Sequence, residues 1–339
     1  MKATSVSSAA MSNAQRYSQM RMQSDLVKAQ KEATTGTVAD VGLALGGRTA
    51  QAVTFSRDLD RLNVIIDSNA LVTARLTSTQ NSLGQLSDVA QDLLTALTAT
   101  GDSSSTITHD AGKAAVQQLT SILNTSVNGE YLFAGTNTDV KPVDDFTAAG
   151  SPAKAAFDAS FVAYFGFTQN DPAAASITAT QMDNFITTSV EPQFLGSGWQ
   201  TNWSNATDQQ ITSRIALNDT TQTSVSANSD SIRKLAMASA MITGLLSSNI
   251  SQAARNSVVT RSMSLVGETL GGLGQLQSQT GLVQKRVSDA SDRMKTQVDL
   301  FERHILDLEG VDPAEAATRV ADLTQHIETS FALTARLQR

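Results

Sequence analysis

The sequence predicts a mainly α-helical protein: a long coiled-coil rod formed by the N- and C-terminal flanks, with a small mixed α/β domain inserted between them. Three observations carry the prediction. Four of the five prolines lie from Pro142 to Pro192, which leaves residues 1–141 with none and 193–339 with Pro313 alone. Twelve of the sixteen aromatic residues fall between Tyr131 and Trp203. Both flanks repeat apolar residues at alternating steps of three and four. Proline lacks an N–H and clashes with the preceding turn, so its absence leaves the flanks free to form long uninterrupted helices. A 3–4 repeat averages 3.5 residues and turns one narrow stripe toward a partner helix.

The elements follow in chain order. Ala10, Ala14 and Tyr17 start a stripe, and Met22, Leu26, Ala29 and Ala33 resume it after a slip. Leu59, Leu62, Ile66, Asn69, Thr73 and Leu76 continue the spacing, as do Leu83, Leu86, Ala90, Leu93 and Leu97. Beyond the middle come Ile232, Leu235, Ser239, Ile242 and Leu246, then Val259, Met263, Val266, Leu270 and Leu273, then Val283, Val287, Ala290 and Met294. The last stripe is Ala316, Val320, Leu323, Ile327, Phe331 and Leu337. Its helix has a start signal in Asp312 as N-cap, Pro313 in the first turn and Glu315 three residues after the cap. The register slips between blocks, which predicts a jointed bundle rather than one continuous heptad array. Gly42, Gly46 and Gly47 read as a joint between two helices.

Between the flanks, Asn128-Gly129 sits between Ser126-Val127 and Glu130-Tyr131-Leu132-Phe133. Asn-Gly takes two positive φ angles readily, so a tight β-hairpin is expected. Short helices are expected at 153–164 and 179–188, and strand-like runs near 211–217 and 221–227. The expected partition is terminal coiled-coil helices at 1–40 and 310–339, a helical rod at 41–141 and 229–309 with the hairpin near 126–136, and an inserted domain at 142–228.

Composition excludes several kinds of chemistry. The net charge of −7, with 17% charged residues, gives no basic footprint for nucleic acid. There is no cysteine, so disulfides, thiolate nucleophiles and zinc–sulfur sites are ruled out. No apolar run reaches the roughly 18–20 residues that span a bilayer, so membrane insertion is not expected. The opening MKATSVSSAAMSNAQR has no continuous apolar stretch of the kind a cleaved secretory signal needs. Lys2, Arg16 and Arg21 in a Ser-rich start superficially suit an organellar transit peptide; the apolar spacing that follows favours a polar helix start.

No catalytic, cofactor or metal site emerges. His109, His304 and His326 lie too far apart for a helical metal pair. The glycines at 42, 46 and 47 are not followed by Gly-Lys-Ser/Thr, and no Gly-x-Ser-x-Gly elbow accompanies a histidine. Asp144-Asp145 and the run Asp299, Glu302, Asp307 and Glu309 read as loop and helix-surface charge. Gly271, Gly272 and Gly274 inside a helical pattern mark either a local kink or the close approach of a neighbouring helix. The chain is expected to be a non-enzyme.

The segment Asn128-Gly129-Glu130-Tyr131-Leu132-Phe133-Ala134-Gly135-Thr136 resembles an Asn/Asp-Gly-x-Tyr-x-Phe-(Ala/Ser)-Gly segment of the hook-associated proteins at the bacterial hook–filament junction. Pro142 and Phe146 follow where that family places a proline and a phenylalanine. Leu270-Gly271-Gly272-Leu273 and the 312–337 helix are similar to the closing helices of the wider flagellin and hook-associated protein superfamily. The resemblance spans roughly 1–140 and 230–339 and leaves the insert uncovered. One departure is Thr35-Gly36-Thr37-Val38 with a single Asp40, where flagellins and many junction proteins carry Thr/Ser-Gly-x-Arg and then Asp-Asp. Another is the close on Leu337-Gln338-Arg339 without a leucine-rich tail.

The resemblance implies an extracellular flagellar subunit, exported unfolded through the flagellum's own type III channel behind an uncleaved N-terminus. Its implied partners are copies of itself in a ring, a neighbouring hook-associated protein on the hook side, flagellin on the filament side and an export chaperone. It further implies axial contacts through Met22, Leu26 and Ala29, and through Val320, Leu323, Ile327 and Phe331. A filament-forming flagellin is the alternative within the superfamily. An unrelated phage-tail or adhesin stalk is the alternative outside it.

Overall fold

A computed structural model describes residues 8–98 and 104–337. The polar opening residues 1–7 and the side chain of Leu337 lie outside what it describes. The elements are α1 (Ser8–Thr35), α2 (Val41–Leu45), α3 (Thr49–Thr98), α4 (Ser104–Leu123), β1 (Ser126–Val127) and β2 (Glu130–Tyr131). Next come α5 (Pro152–Phe165), α6 (Ala179–Phe185), α7 (Glu191–Phe194), α8 (Gly198–Asn202), β3 (Thr212–Ala216) and β4 (Asp219–Gln222). Then follow α9 (Asp230–Leu245), α10 (Gln252–Glu309) and α11 (Pro313–Leu337). The architecture is therefore mainly helical, with long helices from both flanks and a strand-containing insert. It divides into two compact units, one from the N-terminal residues through Val64 together with Arg293 onward, the other from Ile65 to Asp292.

In the first unit α1 and α11 run antiparallel. Gln15 Nε2 donates to Thr334 Oγ1 at 3.0 Å, Gln19 Nε2 to Ser330 Oγ at 3.3 Å, and Arg319 pairs with Glu32 at 3.1 Å. Backbone bonds from Val38 to Glu309 and from Val311 to Gly36 close the pair at its other end, at 2.8 and 2.9 Å. Asp312 caps α11 by accepting from the Ala314 N–H at 2.8 Å. The glycine-rich stretch forms α2 and a 3₁₀ turn (Gly46–Arg48), with Gly46 at φ 53°, and so supplies the joint ahead of α3. Phe55 stacks on Phe301 and His304 with centroids 5.6 and 5.4 Å apart.

The second unit is organised by one large apolar core. Leu83, Leu86, Ala90, Leu93 and Leu97 of α3 are all buried in it, as are Ile232, Leu235, Ile242 and Leu246 along α9. Val266 and Leu273 of α10 join them. The insert contributes to this same core rather than building its own: Phe146, Phe157, Phe161, Phe185, Phe194, Trp199 and Trp203 all belong to it. Phe146 and Trp203 stack at 5.0 Å, and Trp203 and Trp199 at 5.5 Å with planes 13° apart. Such offset aromatic pairs add about 0.5–1.5 kcal/mol each beyond the area they bury.

The α10 helix runs unbroken through Gly271, Gly272 and Gly274. A Cβ on Gly272 would lie 2.7 Å from the Ser231 Cβ, whereas Gly271 and Gly274 face open space. Close approach of α9 therefore explains Gly272. The second expected insert helix starts with a capping box between Thr178 and Gln181 and then changes pitch. A π-helical turn (Ile186–Val190) joins α6 to α7, just before Pro192. Proline has no N–H to return to the residue four back, and the wider turn absorbs that break in the ladder.

The expected hairpin forms, and the strand-like runs of the insert supply a second strand pair. β1 and β2 pair across Asn128-Gly129, whose φ angles are 54° and 84°, so both central residues are left-handed as the tightest hairpin requires. β3 and β4 pair across Leu217-Asn218, with a bulge between Arg214 and Ala216 that turns Ile215 inward to 0% exposure. The second strand-like run keeps strand geometry only through Gln222. Beyond it the Thr223 N–H still donates to the Ile211 carbonyl at 2.8 Å, the Thr223 and Ser213 hydroxyls meet at 2.7 Å, and Ser224 Oγ accepts from the Ile211 N–H at 2.8 Å.

Candidate assembly surfaces

The α1–α11 pair places the sequence-selected stripes as follows. Ala29 is buried, and Met22, Leu26, Val320, Leu323 and Ile327 are half-buried. The hydrogen bonds between the two helices put Met22 level with Ile327, Leu26 with Leu323 and Ala29 with Val320, so the stripes meet along one seam. Phe331 stays 51% exposed. The expected beginning of the α1 stripe is corrected: Ala10 and Ala14 are exposed and Tyr17 is 72% exposed. Gln15 and Gln19 take the inward positions because α11 offers them the hydroxyls of Thr334 and Ser330. Apolar spacing locates a stripe but not which face the partner takes.

What this unit buries is small beside what it shows. Met11, Tyr17, Met20, Val27, Leu43, Val53, Leu300, Leu306, Phe331 and Leu333 are all at least half exposed. Among the described residues, these apolar side chains lie open to solvent.

The hairpin residues have a different setting. Asn128 and Gly129 form the exposed tip. Arg75 of α3 holds the hairpin, its guanidinium donating to Glu130 Oε2 at 2.7 Å and to the Tyr131 carbonyl at 2.9 Å. Phe133 is fully buried in the large core. Ala134 bridges Ser226, and the Ala227 N–H donates to the Phe133 carbonyl at 2.8 Å. Gly135, at φ 67°, packs against the Thr207 carbonyl, where neither the angle nor the space admits a side chain. The motif is thus the seat on which the returning end of the insert rests.

One residue that sequence reading passed over ties this seat together. Asn228 Oδ1 accepts from Trp199 Nε1 and from Ser204 Oγ, both at 2.7 Å. Its Nδ2 donates to the Ala206 carbonyl at 3.0 Å and to Asp208 Oδ1 at 2.7 Å. No local signal marks an asparagine whose four partners lie 20 to 29 positions back, on α8 and the segment that follows it. Beside it, Lys234 bridges Asp230 at 2.7 Å and Glu268 at 2.9 Å. The hydrogen bonds that Lys234 donates to Asp230 first, then to Glu268, hold its pKa above the ordinary value. The Lys234 hydrogen bond holds the Glu268 carboxyl below its own. Burial lowers Arg233, whose guanidinium donates to the Phe194 and Gly196 carbonyls.

Among the described residues, no group of three or more His, Asp or Glu side chains is placed to hold a metal ion. No described helix is long and apolar enough to cross a membrane.

Residues 6–138 match the family model described as the bacterial flagellin N-terminal helical region. Residues 263–339 match the one described as the bacterial flagellin C-terminal helical region. No curated protein matches the chain. Among solved structures, the chain resembles one from Vibrio parahaemolyticus described as a candidate flagellar hook-associated protein, with a TM-score of 0.53 and 10% identity. That likeness covers 77% of this chain and 97% of the other, and at such identity it speaks for the fold.

Proposed function

The chain belongs to the bacterial flagellin superfamily and is a non-enzymatic structural subunit of the flagellum, an extracellular appendage; from that premise we propose that it joins the hook to the filament. The observation that carries this reading is the Asn128–Thr136 segment. It resembles the hairpin segment of hook–filament junction proteins, and it folds here as a tight hairpin that seats the insert. The likeness to a protein described as a candidate hook-associated protein supports the same reading, and the missing Asp-Asp pair after Thr35-Gly36 weighs more against an ordinary flagellin than against a junction protein.

In this role the exposed apolar side chains of the terminal helix pair are covered by neighbouring subunits. Met22, Leu26, Ala29, Val320, Leu323 and Ile327 set the pair, and Phe331 reaches the neighbour. The partners are copies of the chain in a ring, a hook-associated protein on one side and flagellin on the other. Export proceeds through the type III channel with a chaperone and without cleavage. The rod and insert divisions at 41–141 with 229–309, and at 142–228, are part of the same proposal.

The test is a deletion strain of the source bacterium. Hooks without filaments, with flagellin released into the medium as monomer, support the junction role. Normal filaments refute it. A filament-forming flagellin is the second reading, favoured because both matching family models describe flagellin regions. Polymerisation of the purified chain into long filaments would establish it.

A further inference from the structure

The β3–β4 hairpin lies outside the large core of its unit and meets the helices at a small satellite cluster. Ile215, turned inward by the bulge, packs there with Leu76 of α3 and with Val287 and Ala290 of α10, and Val72 and Val283 close the edge. A two-stranded hairpin is marginal in water, so its position must be held from outside.

Asn69 supplies the hold. It occupies a stripe position on α3 where Leu62 and Leu76 are buried apolar residues, and it is itself only 1% exposed. Its Nδ2 donates to the Ile215 carbonyl at 2.9 Å and to Ser291 Oγ of α10 at 3.0 Å. One amide thereby joins α3, α10 and the hairpin at a single point. Arg286 and Asp219 also pair at 2.5 Å, half exposed on the arginine side and correspondingly weak. A polar residue in an apolar seam gives up stability for a specified arrangement.

We propose that the β3–β4 hairpin is a strap across the α3–α10 pair and that Asn69 is the positioning residue that keeps it closed. Release of the strap bares Leu76, Val287 and Ala290 without dismantling the large core, none of whose buried residues falls within 212–222. The hairpin then forms a separate opening unit, whose one buried hydrogen-bonded tie to the helix pair is the Asn69 amide.

Hydrogen exchange on the full chain tests this. In Asn69→Ala, amides of residues 212–222 should exchange roughly tenfold faster or more, since two buried hydrogen bonds are lost. Amides of 83–97 and 232–245 should keep their wild-type protection. Unchanged hairpin exchange overturns the proposal, as does an equal rise in all three regions, which would make Asn69 an ordinary core residue. Asn69→Leu covers the case of a variant that fails to fold, because leucine suits the stripe. It should fold with a thermal midpoint no lower than wild type and still show the faster hairpin. Wild-type hairpin exchange in Asn69→Leu refutes the strap.

Discussion

Replacing Asn228 by alanine removes four hydrogen bonds at once, and the structure sets the size of the effect. The indole N–H of Trp199 loses its acceptor inside a side chain that is 1% exposed. The Ala206 carbonyl loses its donor, and Ser204 and Asp208 turn to solvent or to each other. An orphaned buried group costs about 1–3 kcal/mol and a lost partly exposed bond about 1 kcal/mol. The expected destabilisation of the Ile65–Asp292 unit is therefore about 3 kcal/mol, or a fall of about 1.5 M in the urea midpoint at a slope of about 2 kcal/mol/M. Tryptophan fluorescence is a local reporter, because Trp199 and Trp203 are the two tryptophans of the chain and they stack on each other beside Asn228. Asn228→Asp separates the two halves of the network. It keeps the acceptor for Trp199, loses both donors and sets a carboxylate against Asp208, so it should also destabilise and should recover as Asp208 is replaced by asparagine. A midpoint for Asn228→Ala within about 0.3 M of wild type would refute the claim that this residue joins the insert to its seat.

Two neighbouring glycines should respond oppositely. Gly271→Ala should stabilise by about 0.5–1 kcal/mol through helix propensity, since its Cβ meets open space. Gly272→Ala should destabilise by about 1–3 kcal/mol through overpacking against Ser231, and thermal melts of the two variants compare them directly. The Lys234 pairing with Asp230 and Glu268 contributes a few tenths to about 1 kcal/mol, discounted for its solvent exposure. The raised Lys234 pKa makes that contribution disappear as pH rises through it, and the lowered Glu268 pKa makes it disappear as pH falls through that one. A plateau at roughly pH 5–10 results, and Lys234→Met should flatten both shoulders in pH-dependent urea titrations. Phe331→Ala should leave the midpoint of the isolated chain within about 0.5 kcal/mol, yet lower its incorporation into purified flagella. Normal incorporation would remove Phe331 from the proposed contact.

The seams of the long helices were legible because the 3–4 spacing is a property of the chain itself. Leu83 to Leu97 and Ile232 to Leu246 are buried where the spacing put them. The Asn128-Gly129 turn was legible for the same reason, since two positive φ angles are a local demand. The inward face of the first half of α1 was not. Ala10, Ala14 and Tyr17 form an acceptable stripe, but α11 satisfies Gln15 and Gln19 instead, and only the partner decides between faces. Composition set the proline- and aromatic-rich middle apart from the flanks. It could not reveal that the aromatics complete the core of α3, α4, α9 and α10, because that depends on where the insert folds back. Asn69 stood in the expected stripe as an exception to it, and its meaning came only from the hairpin carbonyl above it.

The pairing of α1 with α11 has a kinetic consequence. Its hydrogen bonds join residues 287 to 319 positions apart, so the contact is strongly non-local. Loop-closure entropy falls hardest on such contacts unless intervening structure shortens the loop first. A lone helix with a narrow stripe is marginal in water, so α1 waits for a partner that lies at the opposite end of the sequence. Loss of residues from 313 onward should therefore show its first effect in α1, as lost helical signal from residues 8–35.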